Sequence, residues 1–282
     1  PYGWKTMGEI QVGDKVFDEQ GNVCNVTFAT APMYKRPCYK LTFNDGTEII
    51  ADEEHLWFTE TSQSRRSYQN AKAKNRLVER KVKKFGTDQS HKRTYGSVKT
   101  TKQIAETMQG DNKGNGKYEF NHSIPLAKPI QIPEKQLLIS SYVLGCWLGD
   151  GSSNSGTYTC GDQDSVIIDN IRDEGFVVTK RKQKIMYGIH NLSPKLRQLN
   201  LINNKHIPID YLRSSVDQRI ELLKGLMDTD GSIDKTSICE YTSVNKQLAD
   251  DVYELVTSLG MKCVIYEGDA TLYGRVTNRK YR

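Results

Sequence analysis

The sequence contains one ten-residue pattern twice, as Val143-Leu144-Gly145-Cys146-Trp147-Leu148-Gly149-Asp150-Gly151-Ser152 and, 80 residues later, as Leu223-Lys224-Gly225-Leu226-Met227-Asp228-Thr229-Asp230-Gly231-Ser232. Each copy predicts an apolar helix that ends at an Asp-Gly pair, where Gly151 or Gly231 is expected in the left-handed conformation. A further helix and strand follow each copy. Residues 136–282 are therefore expected to form two pseudo-symmetric halves of one α+β domain.

Small residues lie four positions apart in both copies, Gly145 and Gly149 in the first and Gly225 and Thr229 in the second. A stripe of small residues lets two helix backbones approach each other closely. A capping box at 215–218, Ser-Val-Asp-Gln, predicts where the second helix begins. We therefore expect the two helices to pack side by side.

Parallel packing of these helices would bring Asp150 and Asp230 together at one end of the pair. Two carboxylates at helix C-termini, where the helix dipole is also negative, need a cation. Mg²⁺ (or Mn²⁺), held by a few protein oxygens and by substrate phosphates, fits that need and supports phosphodiester cleavage. A single Asp-Gly pair after an apolar helix is usually only a turn, so the inference depends on the matched positions of the two copies.

The composition excludes several classes of protein. The chain has 282 residues, of which 37% are hydrophobic, and no apolar run is long enough to span a membrane. No apolar stretch follows the first residues, so no signal peptide is expected. The six cysteines form no CxxC pair, which argues against a zinc site or a disulfide scaffold and for a reduced, cytoplasmic location.

The positive charge of the chain is concentrated in one segment. Residues 62–102 contain 13 Lys and Arg but only Glu79 and Asp88 as acids, so the net charge of +6 leaves the rest of the chain at −5. The stretch up to residue 93 lacks apolar periodicity and predicts an exposed, partly disordered insertion. Such a segment either extends a contact with a polyanion or forms a flexible basic loop.

Residues 3–59 have an all-β texture of short segments, including Trp4–Met7, separated by turn signals such as Asp45-Gly46. Prolines at 125, 129 and 133 predict an extended linker, because each disfavours helix at the preceding residue. These features predict two domains, 1–135 and 136–282.

The paired helices resemble the LAGLIDADG motifs of homing endonucleases, and residues 205–212 and 241–260 resemble the segments found with them in intein-encoded members. The resemblance implies an αββαββα half-domain built twice, a β saddle on double-stranded DNA, and metal-dependent cleavage at a long asymmetric site by a monomer. By motif, Asp150 and Asp230 would be the catalytic, metal-binding acids. Lys205 would be the basic residue beside the scissile phosphate.

The resemblance also implies which basic residues contact DNA. They lie on a predicted strand pair of the first half and in the matching region of the second, at Lys180, Arg181, Lys182, Lys184, Arg275 and Arg279. Basic side chains on a sheet face can combine phosphate contacts with base readout in the major groove. The alternative is a solvated edge strand, on which lysine blocks aggregation.

Residues 1–135 resemble the Hint protein-splicing domain of inteins, through residues 3–18 and 45–57, and residues 121–126 match phage-type members. That family activates the N-terminal scissile peptide with a Thr-x-x-His pair, which here is Asp52-x-x-His55. His55 would keep that role, since an imidazole can donate a proton to the peptide. The alternative is a structural histidine at a hairpin end.

This chain begins at Pro1 without a Cys or Ser nucleophile and ends at Tyr281-Arg282 without a His-Asn pair, so it is not expected to splice itself. By the same resemblance, the second half would lack its final helix and a counterpart of Lys205. Two alternatives to an active endonuclease follow. One is a cleavage-defective LAGLIDADG protein that only binds nucleic acid, and the other is a split-intein piece that splices with a complementary fragment.

Overall fold

The computed structural model describes residues 1–73, 81–84, 87–90, 96–108, 120–272 and 275–282. Their contacts divide the chain into two units, residues 1–29 with 126–282, and residues 30–125. This division differs from the predicted domains, 1–135 and 136–282, because the first 29 residues pack with the C-terminal part. The predicted boundary near residue 135, as a limit between separate domains, stays a prediction.

Up to residue 125 the chain consists mainly of short strands. The elements are β1 (Lys15–Phe17), β2 (Val23–Asn25), β3 (Cys38–Thr42), β4 (Glu48–Asp52), β5 (Leu56–Thr61), α1 (Ser62–Ala73), β6 (Lys81–Lys84), β7 (Thr87–Ser90), β8 (Ser97–Thr100), α2 (Thr101–Glu106) and β9 (His122–Ser123). Among the described residues, antiparallel pairing joins β1 with β2, β3 with β4 and β6 with β7, and forms a sheet of order β8-β5-β9. Gly46 has φ +85°, as the predicted turn between β3 and β4 requires.

One sequence prediction for this part is wrong and another stays a prediction. The exposed, partly disordered insertion expected at 62–93 falls partly on residues 74–80, 85–86 and 91–93, which lie outside the described part. Its described residues include the helix α1 and the paired strands β6 and β7. Helix α1 lacks an apolar stripe, but Arg65 donates to Glu60 O at 2.8 Å and to Asn121 O at 3.1 Å, which attaches it to its surroundings. The segment 4–7 is not a strand, because Glu9 accepts from Thr6 N and starts a 3₁₀ turn instead.

From residue 126 onward helices alternate with short strands. The elements are α3 (Ser141–Asp150), β10 (Thr157–Thr159), α4 (Ser165–Asp173), β11 (Val178–Lys180), β12 (Met186–Ile189), α5 (Leu192–Gln198), α6 (Ile209–Leu212), α7 (Val216–Asp230), β13 (Gly231–Ile233), β14 (Cys239–Tyr241), α8 (Lys246–Ser258), β15 (Glu267–Leu272) and β16 (Arg275–Tyr281). The strands form antiparallel sheets of order β10-β12-β11, β13-β14 and β15-β16. The architecture is α+β.

The extended linker, residues 124–137, forms hydrogen bonds both with the N-terminal segment and with the end of α8. Residues 124–137 contain neither helix nor strand, as the prolines predict. Gln131 N donates to Gly21 O at 2.7 Å, and Ile130 N donates to Ser258 O at 3.0 Å. Trp4 Nε1 also reaches Glu254 Oε2 at 3.0 Å. These bonds explain why residues 1–29 belong to the same unit as 126–282.

The core of this unit lies between α3, α7 and α8, with α4 and α5 beside them. Trp147, Leu222 and Leu255 are fully buried within it. Arg219 is also fully buried, and its guanidinium donates to Ser214 O, Ser258 O and Ile130 O. In the described part of the chain, no helix combines the length and the apolar character that a membrane crossing needs.

Candidate active site

Helices α3 and α7 contact each other through their main chains at two glycines. A Cβ atom on Gly145 would lie 2.9 Å from Leu226 N and 3.0 Å from Gly225 Cα. A Cβ atom on Gly225 would lie 2.8 Å from Cys146 N and 3.1 Å from Gly145 C. Since real Cβ atoms do not come this close to backbone, larger side chains would hold the helices apart. The predicted close packing of the two helices is confirmed.

One turn further along, the contact continues toward the C-terminal ends of both helices. A Cβ atom on Gly149 would lie 2.6 Å from Thr229 Cβ and 3.4 Å from Asp230 Oδ2. Because the contacts advance along both helices together, α3 and α7 run parallel, as expected. Asp150 and Asp230, the last residues of the two helices, therefore lie at the same end of the pair.

The conformation of the glycines after the two acids differs from the prediction. Gly151 has φ −72° and Gly231 has φ −92°, so both are extended and the expected left-handed cap is wrong. Each glycine leads directly into strand pairing, Gly151 opposite Tyr158 and Gly231 opposite Tyr241. A Cβ atom at either position would collide with the preceding helical turn, at Trp147 or Met227. Close approach, rather than a positive φ, is what requires glycine here.

The start of α7 is confirmed. Ser215 Oγ accepts from Gln218 N at 3.2 Å, and Gln218 Oε1 accepts from Ser215 N at 3.2 Å, which completes the predicted capping box.

A side-chain hydrogen bond also links helices α3 and α7, because Tyr142 Oη donates to Asp228 Oδ2 at 2.8 Å. Tyr142 lies on the first turn of α3 and Asp228 on the last turn of α7, so this bond adds a side-chain link to the backbone contact between the helices.

The carboxylates of Asp150 and Asp230 are open to solvent on one side and desolvated by protein on the other. Desolvation is the largest cause that raises the pKa of both groups. The charge of Asp150 raises the pKa of Asp230 further, and Asp164 does the same to Asp150. Among the described residues, no donor forms a hydrogen bond with either carboxylate. Two adjacent acids with free oxygens form a site that attracts a cation.

Lys205 supplies the positive charge next to these acids. Its ammonium group donates to Gly149 O at 2.8 Å and lies 5.3 Å from the centre of the Trp147 ring. Burial lowers the pKa of Lys205 to about 8, although the nearby charges of Asp230 and Asp150 raise it. The group therefore remains largely protonated at pH 7. The structure thus brings together the three residues that the sequence nominated as catalytic.

Three residues around the site were not found from the sequence. Asn245, the N-cap residue of α8, donates from Nδ2 to Lys205 O at 2.7 Å. Asp251 Oδ2 accepts from Ile207 N at 2.8 Å, and Asp164 at the start of α4 acts on Asp150 through its charge. The position of Asn245 and Asp164 at the starts of helices is the signal that the sequence offers for them. That signal does not show that Asn245 contacts Lys205 or that Asp164 lies near Asp150.

The donor set fits a hard divalent cation that shares its coordination with a substrate. Within the described ranges, no group of three or more His, Cys, Asp or Glu side chains forms a protein-only metal site. Asp150 and Asp230 supply unpaired carboxylate oxygens at one accessible point. Mg²⁺ is commonly bound by one or two carboxylates together with waters and substrate phosphates.

The basic residues nominated for the first half lie at the β11–β12 hairpin. Lys180 is on β11, but Arg181, Lys182 and Lys184 lie in the connecting turn, so their placement on a strand is wrong. The strand ends here because Arg181 N donates to Met186 O and closes the turn. All four side chains are exposed, although Lys180 Nζ is 3.9 Å from Asp162 Oδ1.

The basic residues nominated for the second half lie on one strand. Arg275 and Arg279 are both exposed on β16, which pairs with β15. Arg279 contacts Glu267 Oε2 at 3.2 Å and Asp269 Oδ1 at 3.6 Å. Their role in DNA binding stays a prediction, as does that of the four basic residues of the first half.

The residues nominated for splicing lie in the unit of residues 30–125. Asp52 accepts two hydrogen bonds from Arg36, at 2.6 and 3.0 Å, and Glu54 N also donates to it. These bonds, that of Glu54 first, hold the pKa of Asp52 below its usual range. His55 is exposed, and its ring meets Trp57 edge to face at 4.7 Å. Asp52 is thus engaged by Arg36, and the splicing role of both residues stays a prediction.

Comparison with known protein families gives a match for the C-terminal part of the chain. A family model described as a LAGLIDADG-like domain matches residues 217–282, which include most of α7, Asp230 and every element after it. The C-terminal part of this chain is therefore similar to LAGLIDADG-like domains.

Two curated relatives are replicative DNA helicases. The DnaB of Mycobacterium intracellulare is 36% identical over 264 residues, which are 93% of this chain and 41% of that protein. The DnaB of Mycobacterium leprae (strain TN) is 44% identical over 59 residues, which are 21% of this chain and 10% of that protein. The chain spans less than half the length of either relative.

Proposed function

We propose that this chain is a site-specific DNA endonuclease of the LAGLIDADG type, which hydrolyses phosphodiesters at the common end of α3 and α7. The observation that carries the proposal is the convergence of Asp150, Asp230 and Lys205. The backbone contact of two parallel helices brings the acids together, and the lysine ammonium lies beside them. The match of residues 217–282 to a LAGLIDADG-like domain supports this assignment independently.

The surroundings of Asp150, Asp230 and Lys205 fit the chemical role that each would have in phosphodiester hydrolysis. Asp150 and Asp230 would hold Mg²⁺ or Mn²⁺ between the protein and a DNA phosphate. Such an ion supplies Lewis-acid charge that stabilises the attacking and leaving oxygens of a phosphodiester. Lys205, protonated at neutral pH, would neutralise charge on the phosphate and orient the attacking water.

The two halves would contact DNA through different basic residues. The β11–β12 hairpin offers four cations, whereas β16 offers Arg275 and Arg279, one of them already paired with acids. Different sets of cations would contact different half-sites, so we expect a long, asymmetric target bound by one monomer. The same proposal holds that the two repeats are related by a pseudo-two-fold axis.

The relatives suggest a context for this nuclease. An alignment that covers 93% of this chain but 41% of a replicative helicase fits a segment contained within a helicase chain. Together with the resemblance of residues 1–135 to Hint domains, this supports an intein inserted in such a helicase. Asp52 and His55 would then belong to its splicing domain.

The test is cleavage of DNA that lacks the insertion. A plasmid carrying the host helicase gene, with the segment encoding this chain removed, is incubated with the protein and Mg²⁺ in supercoiled and linear form. We expect a single double-strand break at the former insertion site, and no cleavage when Mg²⁺ is chelated. Asp150→Asn and Asp230→Asn should abolish cleavage and leave binding in a gel-shift assay intact.

Asp217→Asn provides the matched control, since Asp217 is exposed on the first turn of the same helix α7. It should cut at the parental rate. Binding without cutting by the parental protein would refute the endonuclease and favour a protein that only binds nucleic acid. Ligation of flanking sequences after mixing with a complementary fragment would instead support a split intein.

A further inference from the structure

The loop that carries Lys205 is fixed to helix α8 at two points. Asn245 Nδ2 donates to Lys205 O at 2.7 Å, and Asp251 Oδ2 accepts from Ile207 N at 2.8 Å. Asp251 is buried and is itself held by Gln247 Nε2 at 2.8 Å. The main chain of residues 205–207 is therefore fixed on both sides of His206.

At its other end, the lysine side chain is held by α3. The Lys205 ammonium donates to Gly149 O at 2.8 Å, one residue before Asp150. A continuous series of contacts thus runs from the start of α8, through the backbone and side chain of Lys205, to the end of α3. Helix α8 follows Asp230 in the chain, so an element that comes after the second acid contacts the loop of the lysine that lies next to the first.

Asn245 uses both sides of its amide. Its Oδ1 accepts from Leu248 N at 3.2 Å and so caps α8, while its Nδ2 holds Lys205 O. Aspartate and serine cap helices as well as asparagine does, because each supplies an acceptor oxygen. Neither supplies an N–H donor. Capping alone therefore does not explain an amide here, whereas support of Lys205 does.

We infer that Asn245 is a positioning residue, which holds the main chain of Lys205 so that its ammonium lies beside Asp150 and Asp230. This role rests on the proposed nuclease function. The sequence admits a specific test, because Asn245→Asp keeps the cap while it replaces the N–H donor with a charged carboxylate oxygen that cannot hold Lys205 O. Asn204→Asp is the matched control. It makes the same chemical change one residue from Lys205, but its amide donates to Asn200 O.

The first measurement needs neither DNA nor metal. The folded protein is treated with an amine-reactive acetylating reagent, and the modification of each lysine is quantified by peptide mass spectrometry. Asn245→Asp should increase modification of Lys205, while Asn204→Asp should not. Lys246, on the first turn of α8, reports on the helix start and should not change. Unchanged modification of Lys205, or an equal rise at Lys246, would overturn the inference.

The second measurement is single-turnover cleavage at saturating DNA. Because a small misplacement of a catalytic group slows a reaction about 10- to 100-fold, Asn245→Asp should reduce the cleavage rate by about that factor. The DNA dissociation constant should change no more than it does in Asn204→Asp. Equal rates in both variants would contradict the positioning role. If only the modification of Lys205 rises and the parental protein cuts no DNA, the positioning of Lys205 stands and the proposed function fails.

Discussion

The backbone contact between α3 and α7 predicts that Gly225→Ala lowers the free energy of unfolding. The new Cβ would overlap most with Tyr142 O and would also lie 2.8 Å from Cys146 N and 3.1 Å from Gly145 C. All three are main-chain atoms, and ordinary contacts begin near 3.4 Å. No side chain can rotate away to relieve the overlap, so the helices must separate by roughly 1 Å at this point.

The magnitude follows from two opposing terms. Overpacking of a well-packed site costs typically about 1–3 kcal/mol, and contact with backbone on the facing helix favours the upper end. Alanine in place of glycine inside a helix regains about 1 kcal/mol. We therefore expect Gly225→Ala to lower the free energy of unfolding by about 2 kcal/mol.

The assay is urea denaturation followed by circular dichroism, with Gly8→Ala as the control. A Cβ atom on Gly8 meets no atom within 4 Å, so the same substitution there should change the free energy of unfolding by less than about 0.5 kcal/mol. If Gly225→Ala were as stable as Gly8→Ala, the helices could not be in the contact described. The same variant should also cut DNA more slowly, since the acids at the helix ends would move apart.

Three further predictions test other parts of the structure. Gly149→Ala should destabilise the protein by about 2 kcal/mol, and adding Thr229→Gly should recover at least about 1 kcal/mol of that in a double-mutant cycle, because the overlap is with the Thr229 side chain. Simple additivity would argue against the contact. Arg219→Met should lower the free energy of unfolding by about 3 kcal/mol in urea denaturation, since three carbonyls lose their buried donor. Arg172→Met, on an exposed position of α4, should cost little. The cleavage rate should fall at low pH as the two acids, whose pKa is raised, become protonated, and should fall again above pH 8 as Lys205 loses its proton. Lys205→Arg, which stays charged, should not show the alkaline fall, and an unchanged pH profile would remove Lys205 from the mechanism.

The features that the sequence predicted correctly depend on local or periodic signals. The capping box at Ser215 and the glycine stripe of Gly145 and Gly225 each specify a geometry in a few residues, and both are present. The two Asp-Gly pairs also identified Asp150 and Asp230 as the acids at the helix ends. Their proximity to one another could be expected from parallel packing of two similar helices.

The features that the sequence missed depend on contacts distant in the chain. A glycine after a helix suggests a left-handed cap, but at Gly151 the collision with Trp147 within the same turn decides the residue type. The amide of Asn245 gives a capping signal, yet its second bond joins residues 40 apart. The polar helix α1 has no apolar stripe, so nothing in its sequence pattern distinguishes it from a basic loop.

The way the helices meet has a consequence for how the two copies of the motif can diverge. Only four of the ten aligned positions are identical, and they are the pairs 145/225, 150/230, 151/231 and 152/232. The first pair is the main-chain contact, the second is the acids, and the third lets each helix pass directly into pairing with a strand. This main-chain contact is the same in both halves, whereas the position 149/229 pairs unlike residues, and there the missing side chain of Gly149 leaves the space that the Thr229 side chain fills. Under the proposed function, the basic residues of the two halves, which lie outside the motif, could diverge while the contact of Gly145 with Gly225 keeps Asp150 and Asp230 together.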